Sequence, residues 1–399
     1  MDFYRYFFAD DREYRPISFY FVYLVAIIFS FQVVLTAYIG TSYLSNFIAD
    51  STVGLVFAVG SLGAIALTFF MTDLLNRFGN VNTIIAFTVL TSLSLVFIGL
   101  GFDTTSTILA FILFLAVSPQ IYFNLDIFME ALIDDNESST GSKRGIILTI
   151  MSFASFLSPF AAGYLVGTDN NFPAVYFVSA LIGLLIIAIV IAKLRFFNDP
   201  KYIPTTINGL LHTSLKNPNI KLVIAAQFLL QLFYAWVVMY VPLYMANEIG
   251  MSWDVIGNII AVGLFAFVII EYPAGWLADN KIGETEMMAT GFFILAASTA
   301  LISTFDADHI LPWMMLTFAT RIGASLVEVT AESYFFKQVK ANDSNLISFF
   351  RLARPVANLF GALLGVICLL YLPFQYIFIV LGIILFSGVF IASHLVDTK

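Results

Sequence analysis

Gly275-Trp276-Leu277-Ala278-Asp279-Asn280-Lys281-Ile282-Gly283 separates two long apolar runs, and Asn76-Arg77-Phe78-Gly79-Asn80 does the same earlier in the chain. Lys281 answers to Arg77 and Gly283 to Gly79, each 204 residues apart. A second echo follows each loop. Asp126 and Glu130 stand 202 residues before Glu328 and Glu332. Both pairs are spaced i,i+4, which puts each on one helix face. The chain therefore reads as two similar halves. Each has a short charged loop after its second apolar run and an acid pair toward the end of its fourth.

Composition names the solvent. Of 399 residues, 60% are hydrophobic and 11% charged, with 43 Phe. An ordinary soluble domain is about 25% charged. This chain lacks the polar coat that a soluble enzyme, a disordered tail or a coiled coil of its size needs, and mean hydropathy is +0.93. A run of about 20 apolar residues crosses a bilayer. Twelve such runs are expected, at 17–39, 51–71, 81–101, 105–131, 145–167, 173–194, 220–246, 254–277, 287–304, 310–333, 345–369 and 372–394. The expected fold is an all-α membrane protein with twelve transmembrane helices in two six-helix halves.

The few charges sort by side. Lys and Arg collect in cytoplasmic loops. With both termini inside, 17 of the 18 basic residues fall on that side. The outer loops carry Asp50, Asp103, Asp169, Glu248, Asp254, Asp306 and Asp308 and no base. The expected domains are a six-helix bundle over 1–195, a cytoplasmic linker over 196–219 and a second bundle over 220–399. The linker holds Pro200, Pro204 and Pro218 around an amphipathic piece, Ile207, Leu210, Leu211 and Leu215. The aromatic N-terminus is expected to lie along the interface and not to act as a signal peptide.

With these features the sequence resembles the major facilitator superfamily of secondary transporters over its whole length. The family's loop motif is roughly G-x-L-A-D-R-x-G-R-R. Gly275 to Gly283 matches it with one extra residue between acid and base. The first copy departs from it: Asn76 stands where the acid belongs and Asn80 where a base belongs, with Asp73 one turn earlier. The resemblance implies a gate. Glycine lets helices approach, and acids at helix ends meet bases or helix N-termini of the other half. The gate set is Asp73, Arg77, Gly79, Glu130, Arg144, Gly275, Asp279, Lys281, Gly283, Glu332, Arg351 and Arg354; the alternative is that Arg77 and Lys281 only set topology. In span 5, Ala154-Ser155-Phe156-Leu157-Ser158-Pro159-Phe160-Ala161-Ala162-Gly163 is similar to the family's antiporter motif G-x-x-x-G-P-x-x-G-G. A generic kinked helix with a small-residue face would look the same.

One base, Arg321, falls near the middle of span 10. A charge at mid-bilayer costs about 2.5–3.5 kcal/mol and is a functional candidate by default. It holds either an anionic substrate group, a carboxylate whose protonation drives transport, or a fixed ion pair between helices. Asp126, Glu271 and Glu328 are the deeper carboxylates and the candidates for proton coupling. Gln32, Gln120, Asn124, Gln227, Gln231, Tyr234 and Trp236 are candidates for lining a substrate site. The resemblance places spans 1, 4, 7 and 10 around the central cavity, which favours Gln32, Gln120, Gln231 and Arg321.

The sequence has no Walker-type phosphate loop and no hydrolase or metalloprotease signature. Its one Cys and three scattered His offer no metal-ligand spacing, and a net charge of −8 argues against nucleic acid. No cofactor, no metal and no enzymatic activity are expected. The expected function is alternating-access transport of a small molecule, most simply proton-coupled export. The alternatives are uptake of a small anionic nutrient on Arg321, or a sensor that moves nothing. The protein is expected to be a monomer in the plasma (inner) membrane.

Overall fold

The computed structural model describes residues 19–132, 140–200, 202, 217–304, 310–338 and 344–396. The aromatic N-terminus and the amphipathic linker piece at 207–215 lie outside them. Every regular element among the described residues is helical: α1 (Phe19–Ala37), the short α2 (Gly40–Leu44), α3 (Asp50–Leu100), α4 (Thr104–Leu132), α5 (Thr140–Val166), α6 (Phe172–Ile189), α7 (Pro218–Leu243), α8 (Trp253–Asn280), α9 (Glu284–Leu301), α10 (Ile310–Gln338), α11 (Ser344–Tyr371) and α12 (Ile377–Ser393), besides single turns of 3-10 and π helix.

Ten of these elements, among the described residues, are long and apolar enough to cross a membrane. The chain is a multi-pass integral membrane protein. In hydrocarbon the backbone must satisfy itself, which is why helices fill the apolar runs. One of the ten is the 51-residue α3, whose helical course breaks at Gly79 (φ 75, ψ 165). Only glycine enters that backbone region at no steric cost. Within α5, the stretch Met151–Val166 is apolar but shorter than the others.

Loop chemistry fixes where helices start. Asp103 caps α4, accepting from Ser106 N at 2.9 Å and from Ser106 Oγ at 2.8 Å. Those bonds hold its carboxyl below the usual range. Asn171 and Asn217 cap α6 and α7, each with Pro in the first helical turn.

Packing follows the chain halves. In the N-terminal half α3 lies against α4 and α6, and α1 against α5, α6 and α4. In the C-terminal half α9 packs on α10 and α12, α8 on α10, and α7 on α10, α11 and α12. The halves meet chiefly through α3 with α11 and α5 with α8, and through α2 with α7.

Two ends can be distinguished. At the end bearing Asp50, Asn247 Nδ2 donates to Asp50 Oδ2 at 2.9 Å. There α5 and α8 touch backbone to backbone: a methyl on Gly163 would sit 2.6 Å from the Trp253 carbonyl oxygen. A methyl on Gly54 of α3 would sit 2.8 Å from the Ala362 carbonyl oxygen of α11. Small residues make such approaches possible. The opposite end carries Gly79 and Gly283.

Candidate functional site

α10 carries a charged stripe. Arg321, Glu328 and Glu332 are spaced i, i+7, i+11, so they stack on one face over about 16 Å at 1.5 Å per residue. α7 presents Gln227, Gln231 and Tyr234 at i, i+4, i+7 in the same way. The stripes are joined where the Tyr234 hydroxyl donates to Glu328 Oε2 at 2.6 Å. The fields of Glu271 on α8 and of Arg321 both reach Tyr234. Glu271 in turn lies within electrostatic reach of Glu328 and Glu332.

Arg321 is 4% exposed. Its Nη1 donates to Thr320 Oγ1 at 3.1 Å, and its guanidinium lies 5.2 Å from the Phe233 ring centroid. No carboxylate pairs with it among the described residues. A guanidinium has five donors, and a buried cation without a counter-charge is costly. The described residues therefore leave it the donor capacity to hold an anion.

The expected amides fall into two groups. Gln32 Nε2 donates to the Ser179 carbonyl at 2.8 Å, and Ser179 Oγ returns a bond to the Gln32 carbonyl at 2.9 Å, tying α1 to α6. Gln120 Nε2 donates to the Ala64 carbonyl at 3.0 Å, tying α4 to α3. Asn124 Nδ2 bonds the Gln120 carbonyl one turn back at 2.7 Å. In the C-terminal half, Gln227 and Gln231 are buried, and Gln227 Oε1 has no partner among the described residues. Trp236 is buried on another face of α7, its ring 5.9 Å from that of Tyr240. Tyr38 is buried and Asn258 exposed.

At the Gly79 end, the halves are pinned by two residues of α11. Arg351 makes an ion pair with Asp126 of α4. Arg354, three residues on, lies over the Tyr122 ring of α4 at 5.8 Å. Asp126, placed by sequence with the proton-coupling acids, thus contacts the other half, with its side chain 43% exposed. Glu130, Arg144 and Asp279 lie outside the residues whose side chains are described. Asp73 and Arg77 are exposed, and neither has an ion-pair partner among the described residues. Gly275 packs on Val329 of α10, Gly283 opens α9 with φ 113, and Lys281 lies 5.3 Å from the Trp276 ring.

An acid from outside the first loop bonds it. Asp199, after α6, accepts from the Asn80 backbone N–H at 2.7 Å, just past the Gly79 bend. It also accepts from the Tyr202 hydroxyl at 2.5 Å. Burial and that bond push the Tyr202 hydroxyl up. A surface pocket of about 300 Å³ beside Asp199 and Gly79 does not reach the charged stripe. Sequence reasoning missed Asp199, Tyr122 and Phe233. Among 18 Tyr and 43 Phe an aromatic carries no distinguishing signal.

The helices among the described residues pack as two halves that meet through α3–α11 and α5–α8. Residues 223–399 match the model of the Major Facilitator Superfamily. That match covers less than half of the chain, and over nearly the whole chain the likeness to solved structures is one of fold. Three solved structures are similar. One is a POT family transporter in complex with a thioalcohol-conjugated peptide, at 13% identity, 94% of each chain covered and TM-score 0.73. Another is an auto-inhibited POT family peptide transporter, at 11% identity, 96% of this chain and 98% of that chain covered, and TM-score 0.76. A third is a POT family transporter in complex with 5-aminolevulinic acid, at 13% identity, 94% of each chain covered and TM-score 0.76. At such identities the likeness is one of fold. No curated protein matches the sequence.

Proposed function

We propose that the protein is a proton-coupled secondary transporter that moves a small molecule bearing an anionic group by alternating access. The observation that carries this reading is the buried Arg321 without a carboxylate partner among the described residues, on the same helix face as Glu328. Arg321 holds the anionic group. Glu271 and Glu328, grouped around Tyr234, exchange the proton. Arg321 and Glu328 are about 10 Å apart along α10 at 1.5 Å per residue. A molecule with a carboxylate at one end and an amine at the other fits that span. The peptide and the 5-aminolevulinic acid bound in the similar structures carry such ends, which favours testing those compounds first.

Twelve crossings belong to this reading: α3 counts twice across the Gly79 bend, and α5 adds one to the ten apolar elements. The bundles are 1–195 and 220–399 with a linker between. The Gly79 end faces the cytoplasm of a plasma (inner) membrane, because the basic residues collect there. Direction has one observation behind it. Pro159 and Gly163 of the antiporter-like stretch sit at the α5–α8 contact between halves, with a methyl on Gly257 of α8 placed 3.0 Å from Gly163 Cα. That favours export against an inward proton gradient.

Purified protein in liposomes tests both points. A labelled dipeptide and 5-aminolevulinic acid are offered under pH gradients of either sense. Flux driven by the gradient supports coupling, and the driving sense separates antiport from symport. Flux indifferent to the gradient ends the proton-coupled reading.

A further inference from the structure

α7 and α11 meet closely at one level and part at another. A methyl on Gly361 of α11 would sit 3.2 Å from Ala235 Cβ and 3.4 Å from Leu232 Cδ1 of α7. Toward the Gly79 end the two helices leave a groove of about 490 Å³ between them. Lys221, Ile224 and Phe228 line it from α7, and Phe349, Leu352 and Val356 from α11. Each trio is spaced i, i+3, i+7, so one face of each helix is used. The Phe228 and Phe360 rings, 5.9 Å apart, bridge the helices at the inner end. The same face of α11 continues through Phe360, Leu363 and Ile367, which are 49%, 36% and 52% exposed. Such apolar side chains on a spanning helix lie against lipid tails, which are as apolar as they are. Arg351 and Arg354, which contact α4, fall about half a turn away round α11. The groove thus opens to the bilayer and not to the contact between halves.

The mouth of the groove carries the charge. Lys221 lies in the first turn of α7, is exposed, and has no ion-pair partner among the described residues. The helix N-terminus adds positive potential at the same place. Phe228 lies about 10 Å deeper along α7 at 1.5 Å per residue. A cationic mouth above an apolar cleft matches a molecule with an anionic head and an apolar chain. We infer that the groove binds one anionic phospholipid, with an acyl chain between α7 and α11 and the phosphate on Lys221. Such a lipid already has its chain in hydrocarbon and its head at the interface, so it enters sideways with nothing polar to bury. A zwitterionic lipid fills the cleft equally well but brings its own cation to the mouth. On the orientation proposed for the protein, the Gly79 end meets the cytoplasmic leaflet, where anionic lipids concentrate. The site stands whichever molecule the protein carries. Its occupant touches α7, which bears Gln227, Gln231 and Tyr234, and α11, which bears the arginines that reach α4.

Native mass spectrometry of the purified full chain tests this, with phosphatidylglycerol and phosphatidylcholine of identical palmitoyl and oleoyl chains titrated in turn. Wild type is expected to hold one phosphatidylglycerol about fivefold more tightly than phosphatidylcholine, the factor one Lys supplies near an anionic head. Lys221→Gln loses that preference, and Lys221→Arg keeps it. Ala225→Phe, which fills the groove from α7, weakens both lipids. Lys193→Gln, which removes another base at the same end of the molecule, leaves the preference intact. If Ala225→Phe misfolds, Lys221→Gln beside Lys221→Arg still decides. No preference in wild type, or a preference that survives Lys221→Gln, overturns the inference. An equal loss in Lys193→Gln overturns it in favour of diffuse surface charge. Displacement of the lipid by glycerol 3-phosphate, which has the phosphate and no chains, overturns it in favour of a soluble anion.

Discussion

The two halves share a skeleton and differ in their interior chemistry. Gly79 and Gly283 both take positive φ, at 75 and 113 degrees, at matching places in the repeat. The next residue is buried in each and ties the loop to α4 in one half and to α10 in the other. Asn80 Nδ2 donates to the Asn124 carbonyl of α4 at 3.0 Å. Glu284 accepts from Ser333 of α10 at 2.8 Å and pairs with Lys337 at 2.5 Å. Past the loops the likeness narrows to the acid pairs, Asp126 and Glu130 against Glu328 and Glu332. The polar residues inside the N-terminal half, Gln32 and Gln120, bond to backbone carbonyls of neighbouring helices. The C-terminal half places Arg321, Glu271, Glu328 and Glu332 together. The repeat preserves what bends and packs the helices, and among the described residues the one buried arginine, Arg321, sits in the C-terminal copy.

Removing the charge from that copy is the strongest way to break the comparison. Arg321→Ala is expected to abolish transport while insertion and expression remain near normal. Losing one partner of a buried charged contact costs about 2–5 kcal/mol of binding. Binding of 5-aminolevulinic acid by calorimetry, beside flux in liposomes, checks it; wild-type affinity in the variant removes Arg321 from the site. Glu328→Gln is expected to cost less. Counterflow of substrate without a pH gradient continues, and the gradient no longer drives accumulation. A normal response to the gradient would move proton coupling to Glu271.

Two further substitutions probe the contacts between halves. Gly163→Leu places a side chain against the Trp253 carbonyl, where a methyl alone sits 2.6 Å away. Overpacking of this kind costs about 1–3 kcal/mol. The outcome expected is a population shift away from closure at the Asp50 end, seen as faster labelling of Ser45→Cys. Arg351→Gln is a smaller change. Its ion pair is 48% and 43% exposed, and pairs in that setting are worth about 0.2–1 kcal/mol before screening. Labelling of a cysteine at Asp73 is expected to speed up by no more than about fivefold at that energy. A larger effect would show that the pair is the main latch.

Much of the skeleton was legible because its signals are long or repeated. An apolar run of about 20 residues has one reading in a charge-poor chain, and loops 204 residues apart fix the frame. Arg321 stood out in sequence as a lone base in an apolar run, and the structure shows it buried. The amides were not sorted by sequence. A Gln in a span reads the same whether it lines a cavity or bonds a neighbouring helix, as Gln32 does with Ser179. Asp199 was hidden for another reason. It follows α6 in sequence yet caps the helix after Gly79, a contact 119 residues apart that no local motif encodes.

The smallest effect tests the quiet half. Gln120 of α4 bonds the Ala64 carbonyl at 3.0 Å and meets Thr68 Oγ1 at 3.3 Å, both on α3. Its side chain is 2% exposed. If this amide only holds helices together, Gln120→Leu removes an interhelical bond and keeps the volume. Such bonds in membrane proteins average about 0.6 kcal/mol, because the unfolded helices find other partners in the bilayer. The expected result is a slightly lower melting temperature in detergent with unchanged KM and unchanged response to the pH gradient. The Arg321 variant should show the reverse, intact stability and lost binding. A raised KM in Gln120→Leu at normal stability would put substrate in contact with the N-terminal half and end the asymmetry argued above.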